Sequence, residues 1–244
     1  MIIWKKIKKP KIIKKQDSFN NKKWCSTILE RVKNNFNNSN KNNFLDSFIA
    51  SSPLPLMVLT TKNKIIKIAD FGSGSQELFF QFKQLEQLNY NNKILIDSIE
   101  VKKIVRLLKI NFKNTKNIKI FFKEKFDFKK KYDFIHISDS LQYILNYKKF
   151  LGKINNSQSN YIILNNIPAG NIKTYLTQQS YYGKKILNYF YSISEILDIL
   201  NNYKIIYKSL FLNKIRNKYG EYPQNNFEKI DRIKFPKTII LKKT

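Results

Sequence analysis

The residue types most readily tied to chemistry sit in Asp70-Phe71-Gly72-Ser73-Gly74-Ser75, where an apolar run ends in an acid and a Gly-x-Gly turn follows. Glycines adopt backbone angles and allow close approaches that a side chain would block. A strand, a glycine turn and a helix in that order aim backbone N–H groups at a ligand. A second acid, Glu100, ends another apolar run thirty residues later, where a carboxylate takes ribose hydroxyls in nucleotide-binding folds. Asp97 takes that place if the strand ends earlier, and Glu100 then reads as a helix N-terminal acid favoured by the dipole. A third acid, Asp139, follows Tyr132–Ser138, at the carboxyl end of a strand, where open α/β sheets bind ligands. It suits a general base or a ligand contact. His136, the single histidine, lies inside that run and reads as buried structure. Tyr181 and Tyr182 either line an acceptor or pack with Tyr189, Phe190 and Tyr191.

The elements that must position these residues follow from periodicity. Ile65, Ile66 and Ile68 suit a strand, and Leu78, Phe79, Phe82 and Leu85 share one face of a helix that starts near Gln76. Strands are expected at Lys93–Glu100, Ile118–Phe122, Tyr132–Ser138, Tyr161–Asn165, Lys204–Leu212 and Thr238–Leu241. Helices are expected over Trp24–Phe36, Asn43–Ser51, Val101–Phe112, Tyr147–Ile154 and from Ser192-Ile193-Ser194-Glu195, a capping box, to about Leu200. The chain between Asn213 and Pro236 reads as a mobile basic loop. Strands alternating with helices predict an α/β fold built on a mostly parallel sheet. The expected division is a basic flexible arm over 1–23, a helical cap over 24–60 and an α/β domain over 61–244.

With 244 residues, 42% hydrophobic and 14% aromatic, the chain is long and apolar enough for a sizeable core. It has no apolar run of about 18 or more residues, and its start lacks the apolar centre of a signal peptide. A cytoplasmic protein is the expectation. The lone Cys25 excludes an internal disulfide and a cysteine-built metal site. The net charge of +29 would attract nucleic acid or an anionic membrane, the latter through the 1–23 arm. Lys, Asn and Ile are over-used throughout, however, and the arginines Arg31, Arg106, Arg216 and Arg232 are scattered. That pattern favours compositional drift over a dedicated nucleic-acid face.

The glycine turn departs from the dinucleotide fingerprint G-x-G-x-x-G, because Glu77 stands three beyond Gly74. It resembles instead the Asp/Glu-x-Gly-x-Gly-x-Gly motif of class I S-adenosylmethionine-dependent methyltransferases, without the third glycine. Ser140-Leu141-Gln142-Tyr143-Ile144 and Asn165-Asn166-Ile167-Pro168 extend the likeness. So does Thr177-Gln178-Gln179-Ser180-Tyr181-Tyr182-Gly183. Together these resemble a family of largely uncharacterised bacterial methyltransferases often encountered among surface-polysaccharide genes, over roughly residues 24–210. Gly-Ser-Gly replaces a frequent Gly-Gly, and Asn165-Asn166 a more usual acid and arginine. The resemblance implies a Rossmann-like seven-stranded methyltransferase sheet, mostly parallel with the last strand antiparallel, helices on both faces and an N-terminal helical extension. It implies S-adenosyl-L-methionine held by Asp70, Phe71, Gly72, Ser73, Gly74, Glu100, Ser138, Asp139 and Ser140, with Asp139, Tyr181 and Tyr182 on the catalytic side and no metal. The acceptor would be a small molecule or glycan precursor. The alternatives are an RNA methyltransferase and a non-catalytic basic binding protein on the same fold.

Overall fold

In the computed structural model, β-branched runs form the strands of a seven-stranded sheet, and a Tyr-rich stretch with Trp4–Lys6 builds a second, four-stranded one. The structure describes residues 4–7, 18–38, 52–87, 90–210, 222 and 224–244. The expected helix at 43–51 lies outside them, as does most of the 1–23 arm and much of the 213–236 loop.

The strands are β1 (Trp4–Lys6), β2 (Ile65–Phe71), β3 (Lys93–Ile99), β4 (Ile118–Lys123), β5 (Phe134–Ser138), β6 (Tyr161–Ile167), β7 (Ala169–Gly170), β8 (Tyr175–Tyr181), β9 (Lys184–Ser192), β10 (Tyr203–Leu210) and β11 (Lys237–Lys243). The α-helices are α1 (Lys22–Asn38), α2 (Leu54–Leu59), α3 (Glu77–Gln87), α4 (Lys102–Asn111), α5 (Tyr147–Asn155) and α6 (Ile193–Ile199). The seven-stranded sheet runs β10-β11-β6-β5-β2-β3-β4. It is mostly parallel, and β11, the last strand, is antiparallel to β10. This is the expected Rossmann-like architecture, and each of its seven strands overlaps the apolar run that suggested it.

The chain divides into two compact units. One comprises Asn20–Ser138 and Gln158–Ile163. Its core follows from the patterns above: Ile66, Ile68, Ile94, Ile96 and Ile135 on the strands, Leu78, Phe79, Phe82 and Leu85 on α3, and Ile104, Val105 and Leu108 on α4 are all buried. Trp24, Ile28 and Val32, four residues apart, make the buried face of α1. The rings of Phe36, Phe79, Phe80, Phe112 and Phe122 interlock edge-to-face, the tightest pair being Phe79 and Phe112 at 4.5 Å. Ser52-Pro53-Leu54-Pro55 opens α2. Proline tolerates the first helical turn because its missing N–H is an orphan there in any case.

The other unit comprises Met1–Phe19, Asp139–Ser157 and Leu164–Thr244. It holds the sheet β1-β8-β9-β7, which sequence periodicity did not reveal. Polar residues such as Thr177, Gln178, Gln179 and Asn188 interrupt its alternation, although Thr177 and Asn188 are buried and the Thr177 hydroxyl donates to the Asn188 carbonyl across the ladder. Tyr182 and Gly183, with φ of 47° and 76°, make the two-residue turn of the β8–β9 hairpin, the geometry that fits strand twist. Trp4–Lys6, inside the stretch expected to be a loosely held arm, pairs antiparallel with β8. Trp4 is buried in a cluster with Tyr175, Phe190, Phe227 and Ile233. Burying an indole among three rings outweighs the pull of the neighbouring lysines into water. Phe227 and Ile233, in the described part of the 213–236 loop, thereby belong to the core.

Candidate functional site

Parallel register determines which side chains surround the glycine turn. Asp70 of β2 stands opposite Ser98 of β3 and His136 of β5. In-register residues of a parallel sheet share a face, so these three form a row at the carboxyl ends of the central strands. The Asp70 Oδ1 lies 2.8 Å from His136 Nδ1, and His136 Nε2 lies 3.1 Å from Ser52 Oγ. All three residues are buried. His136 is therefore a buried core histidine, as the sequence suggested, with a specific partner at each ring nitrogen.

The turn itself alternates left-handed with ordinary backbone. Gly72, Gly74 and Gln76 have φ of 70°, 51° and 61°. Gln76 thus occupies the position of the missing third glycine and keeps the conformation that a glycine would supply. A Cβ on Gly74 would meet nothing nearer than 3.8 Å, so its demand is conformational rather than steric. For Gln76, local hydrogen bonds offset the strain of about 1–2 kcal/mol expected of a left-handed residue. Its N–H donates to the Ser73 carbonyl at 2.9 Å, and its side-chain amide donates to Ser73 Oγ at 2.8 Å. The Gln76 Oε1 is buried and has no hydrogen-bond partner among the described residues. Ser73 Oγ lies 2.6 Å from Ser98 Oγ, which ties the turn to β3.

Glu100 closes the turn. Its Oε1 accepts the Gly74 N–H at 2.7 Å and its Oε2 the Val101 N–H at 3.0 Å. Burial pushes its pKa above the ordinary glutamate range, the two N–H donors pull it back in part, and the negative charge of Asp70 adds to the rise. Asp97, the other acid that the sequence offered, is engaged elsewhere. Its Oδ2 receives Lys123 Nζ, Lys130 Nζ and the Tyr132 hydroxyl, each at 2.7 Å. Burial raises its pKa, but these donors more than offset that and hold it below the usual carboxylate range.

In the other unit, Asp139 has φ of 48° and donates its N–H to the Asn165 carbonyl at 3.0 Å. Its Oδ1 accepts the Gln142 amide at 2.7 Å. Ser140 accepts the Tyr143 N–H through its carbonyl at 3.1 Å and starts the 3-10 turn Leu141–Tyr143. Asn166, φ 52°, is buried, as is Gln142, and neither side-chain carbonyl has a partner among the described residues. Asn165 is committed to Thr238, whose hydroxyl it accepts at 2.7 Å. The rings of Tyr143 and Tyr181 each face Phe19, at 5.1 and 5.9 Å, and Tyr182 packs on Tyr181 at 4.7 Å. The Tyr189–Tyr191 pair instead stacks beside Tyr147, so Tyr181 and Tyr182 belong to a separate aromatic group.

Asp70, Phe71, Gly72, Ser73, Gly74, Glu100 and Ser138 thus lie in one unit and Asp139, Ser140, Tyr181 and Tyr182 in the other. Sequence reasoning passed over Ser52, Gln76, Gln142 and Asn166. Gln76 had a legible signal in its place at the third glycine of Gly-x-Gly-x-Gly, and Gln142 and Asn166 in the segments that carry the resemblance; Ser52 had none.

No protein-family model and no curated protein matches the sequence. Solved structures do match the fold. A Burkholderia thailandensis 1,6-didemethyltoxoflavin-N1-methyltransferase with bound S-adenosylhomocysteine is 10% identical with a TM-score of 0.54, over 99% of this chain and 95% of that one. The magnesium protoporphyrin IX methyltransferase of Synechocystis, also with bound S-adenosylhomocysteine, is 11% identical with a TM-score of 0.51, over 94% of this chain and all (100%) of that one. The protein seen in complex with the Haloferax volcanii Trm112 methyltransferase activator is 9% identical with a TM-score of 0.54, over 93% of this chain and 96% of that one. At these identities the likeness is one of fold: the chain has the Rossmann-like methyltransferase fold.

Proposed function

We propose that this chain is an S-adenosylmethionine-dependent methyltransferase whose acceptor is a small molecule or a glycan precursor. The observation that carries the reading is the turn at 72–76, held in left-handed backbone between the carboxylates of Asp70 and Glu100 at the ends of adjacent parallel strands. The residues present fit the cofactor. Glu100 offers a bidentate acceptor for a ribose diol, Asp70 a buried negative charge for a cationic ligand, and Gln76 a buried carbonyl in need of a donor. Phe71, Gly72, Ser73, Gly74 and Ser138 complete the proposed binding set of this unit; Asp139 and Ser140 belong to the other unit.

S-adenosylmethionine, when bound, supplies a methyl group already activated on a sulfonium. The chain's own part is then to align the acceptor, exclude water and take a proton where the acceptor is a hydroxyl. Asp139 suits that last role. Its carboxylate is held by Gln142, which keeps the group from swinging away as it takes a proton. Tyr181 and Tyr182, half-buried and packed with Phe19 and Tyr143, offer ring surface for the acceptor side.

Titration calorimetry with S-adenosylhomocysteine tests the reading. Micromolar to sub-millimolar binding is expected, and Asp70→Ala and Glu100→Ala should each weaken it about tenfold or more, the loss of one charge-assisted hydrogen-bonding group. No heat at millimolar ligand would sink the enzyme reading and leave a binding protein on this fold. The charge of +29 favours a second reading, an RNA acceptor. It requires a salt-steep RNA mobility shift, and negligible RNA affinity at moderate salt removes it.

A further inference from the structure

Asp70, His136 and Ser52 form a continuous hydrogen-bonded chain, of which the proposed roles use only Asp70. It starts at the backbone of α2, where the Leu54 N–H donates to Ser52 Oγ at 3.3 Å. Ser52 Oγ then lies 3.1 Å from His136 Nε2, and His136 Nδ1 lies 2.8 Å from Asp70 Oδ1. With Asp70 as a carboxylate, chemistry permits one arrangement of protons for a neutral imidazole. Nδ1–H donates to Asp70, Nε2 accepts the Ser52 hydroxyl proton, and Ser52 accepts from Leu54. Every ring nitrogen is satisfied, and the imidazole can neither flip nor tilt without orphaning a buried group.

Such a chain resembles a nucleophilic triad, but Ser52 is buried and its oxygen serves as acceptor for the α2 backbone. Its useful end is Asp70. Among the described residues, His136 makes the only side-chain hydrogen bond to Asp70, and it engages one of the two carboxylate oxygens. Proposing a ligand at Asp70 therefore raises the question of what holds that carboxylate still. We propose that His136 is a positioning residue for the cofactor side. It fixes the Asp70 carboxylate through Oδ1, leaves Oδ2 for a cationic or N–H-bearing group of the ligand, and is itself fixed from α2 through Ser52. The charged group facing Asp70 from the neighbouring strand is Glu100, whose raised pKa registers it. A neutral donor such as imidazole orients Asp70 without cancelling its charge, as a lysine would. This inference rests on the methyltransferase reading.

The test exploits two near-isosteres. In His136→Asn the amide nitrogen falls where Nδ1 was, which retains the donor to Asp70 and drops Ser52. In His136→Gln it falls where Nε2 was, which retains the Ser52 contact and drops Asp70. His136→Asn removes more side-chain volume than His136→Gln, so a larger loss in His136→Gln reports the hydrogen bond rather than a void. Calorimetry with S-adenosylhomocysteine on the full chain should find His136→Asn within about threefold of the parent and His136→Gln weakened about tenfold or more. Equal affinities in the two variants would overturn the assignment. Ring-nitrogen NMR of the parent chain gives a readout that needs neither variant nor ligand. The Nδ1–H tautomer is expected, and it should lose its preference in Asp70→Ala. An Nε2–H tautomer in the parent would overturn the proposal even if both variants failed to fold. A parent that binds no S-adenosylhomocysteine but shows the Asp70-dependent Nδ1–H tautomer would fail the methyltransferase reading while retaining the hold of His136 on Asp70.

Discussion

Two aspartates on neighbouring strands, Asp70 and Asp97, are both buried, yet they are satisfied in opposite ways. Asp97 draws two ammonium groups and a phenol onto a single oxygen. Asp70 has one imidazole on one oxygen. The first arrangement neutralises the charge and ties β3 to the chain around Lys123–Tyr132. The second brings no lysine and leaves the other oxygen without a side-chain partner among the described residues. Burial alone does not distinguish the two carboxylates; the number and kind of their donors do.

The sharpest way to break that contrast is Asp97→Ala. It leaves the Tyr132 hydroxyl and two lysines without their acceptor, and breaking a buried pair of this kind costs about 3–5 kcal/mol. Thermal unfolding should show a fall in Tm of roughly 6–20 °C for a chain of this size. S-adenosylhomocysteine affinity of the remaining folded protein should hardly change. Lost affinity at unchanged Tm would exchange the roles of the two aspartates.

The pH dependence offers a finer probe, because Asp97 and Glu100 shift in opposite directions. Asp97 titrates lower in the folded chain than in the unfolded one. Its contribution to stability is present above the ordinary aspartate range and is lost as pH falls through the folded value. Glu100 titrates higher when folded. Its contribution is present below the ordinary glutamate range and is lost as pH rises through its raised folded value. Denaturant melts from the acid range to neutrality should therefore show the acid limb flattened in Asp97→Asn. In Glu100→Gln the decline above the glutamate range should flatten instead. Identical profiles in parent and Glu100→Gln would remove Glu100 from the buried set.

The smallest effect is expected at Gln76. Gln76→Gly relieves a left-handed backbone, a gain of about 1 kcal/mol, and loses the side-chain bond to Ser73 Oγ, a comparable cost. Stability should stay within about 1 kcal/mol of the parent. A loss well beyond that would show that the amide, not the backbone, builds the turn.

Much of the larger sheet was legible because its strands are short β-branched runs such as Ile65-Ile66 and Ile94-Leu95-Ile96, residue types that favour a pleated backbone at buried and exposed positions alike. The Ser192 cap was legible for a local reason too: its hydroxyl accepts the Glu195 N–H three residues on. The four-stranded sheet was not, because Gln178, Gln179 and Ser180 break the alternation and Trp4 pairs across some 175 residues of chain. The glycine turn and Glu100 could be read as a pair from spacing. That Asp97 was already saturated by Lys123, Lys130 and Tyr132 could not.

The sequence by itself determined the α/β alternation, the glycine turn between two acids and the excess of positive charge, since each depends on residues close together in the chain. Tertiary structure alone decided which acid is available. Parallel register sets Asp70 beside His136, sixty-six residues away, and the opposite face of the sheet turns Asp97 toward its lysines. It also decided that a glutamine would take the third glycine's backbone, because the hydrogen bonds to Ser73 that offset the strain exist only once the turn has closed.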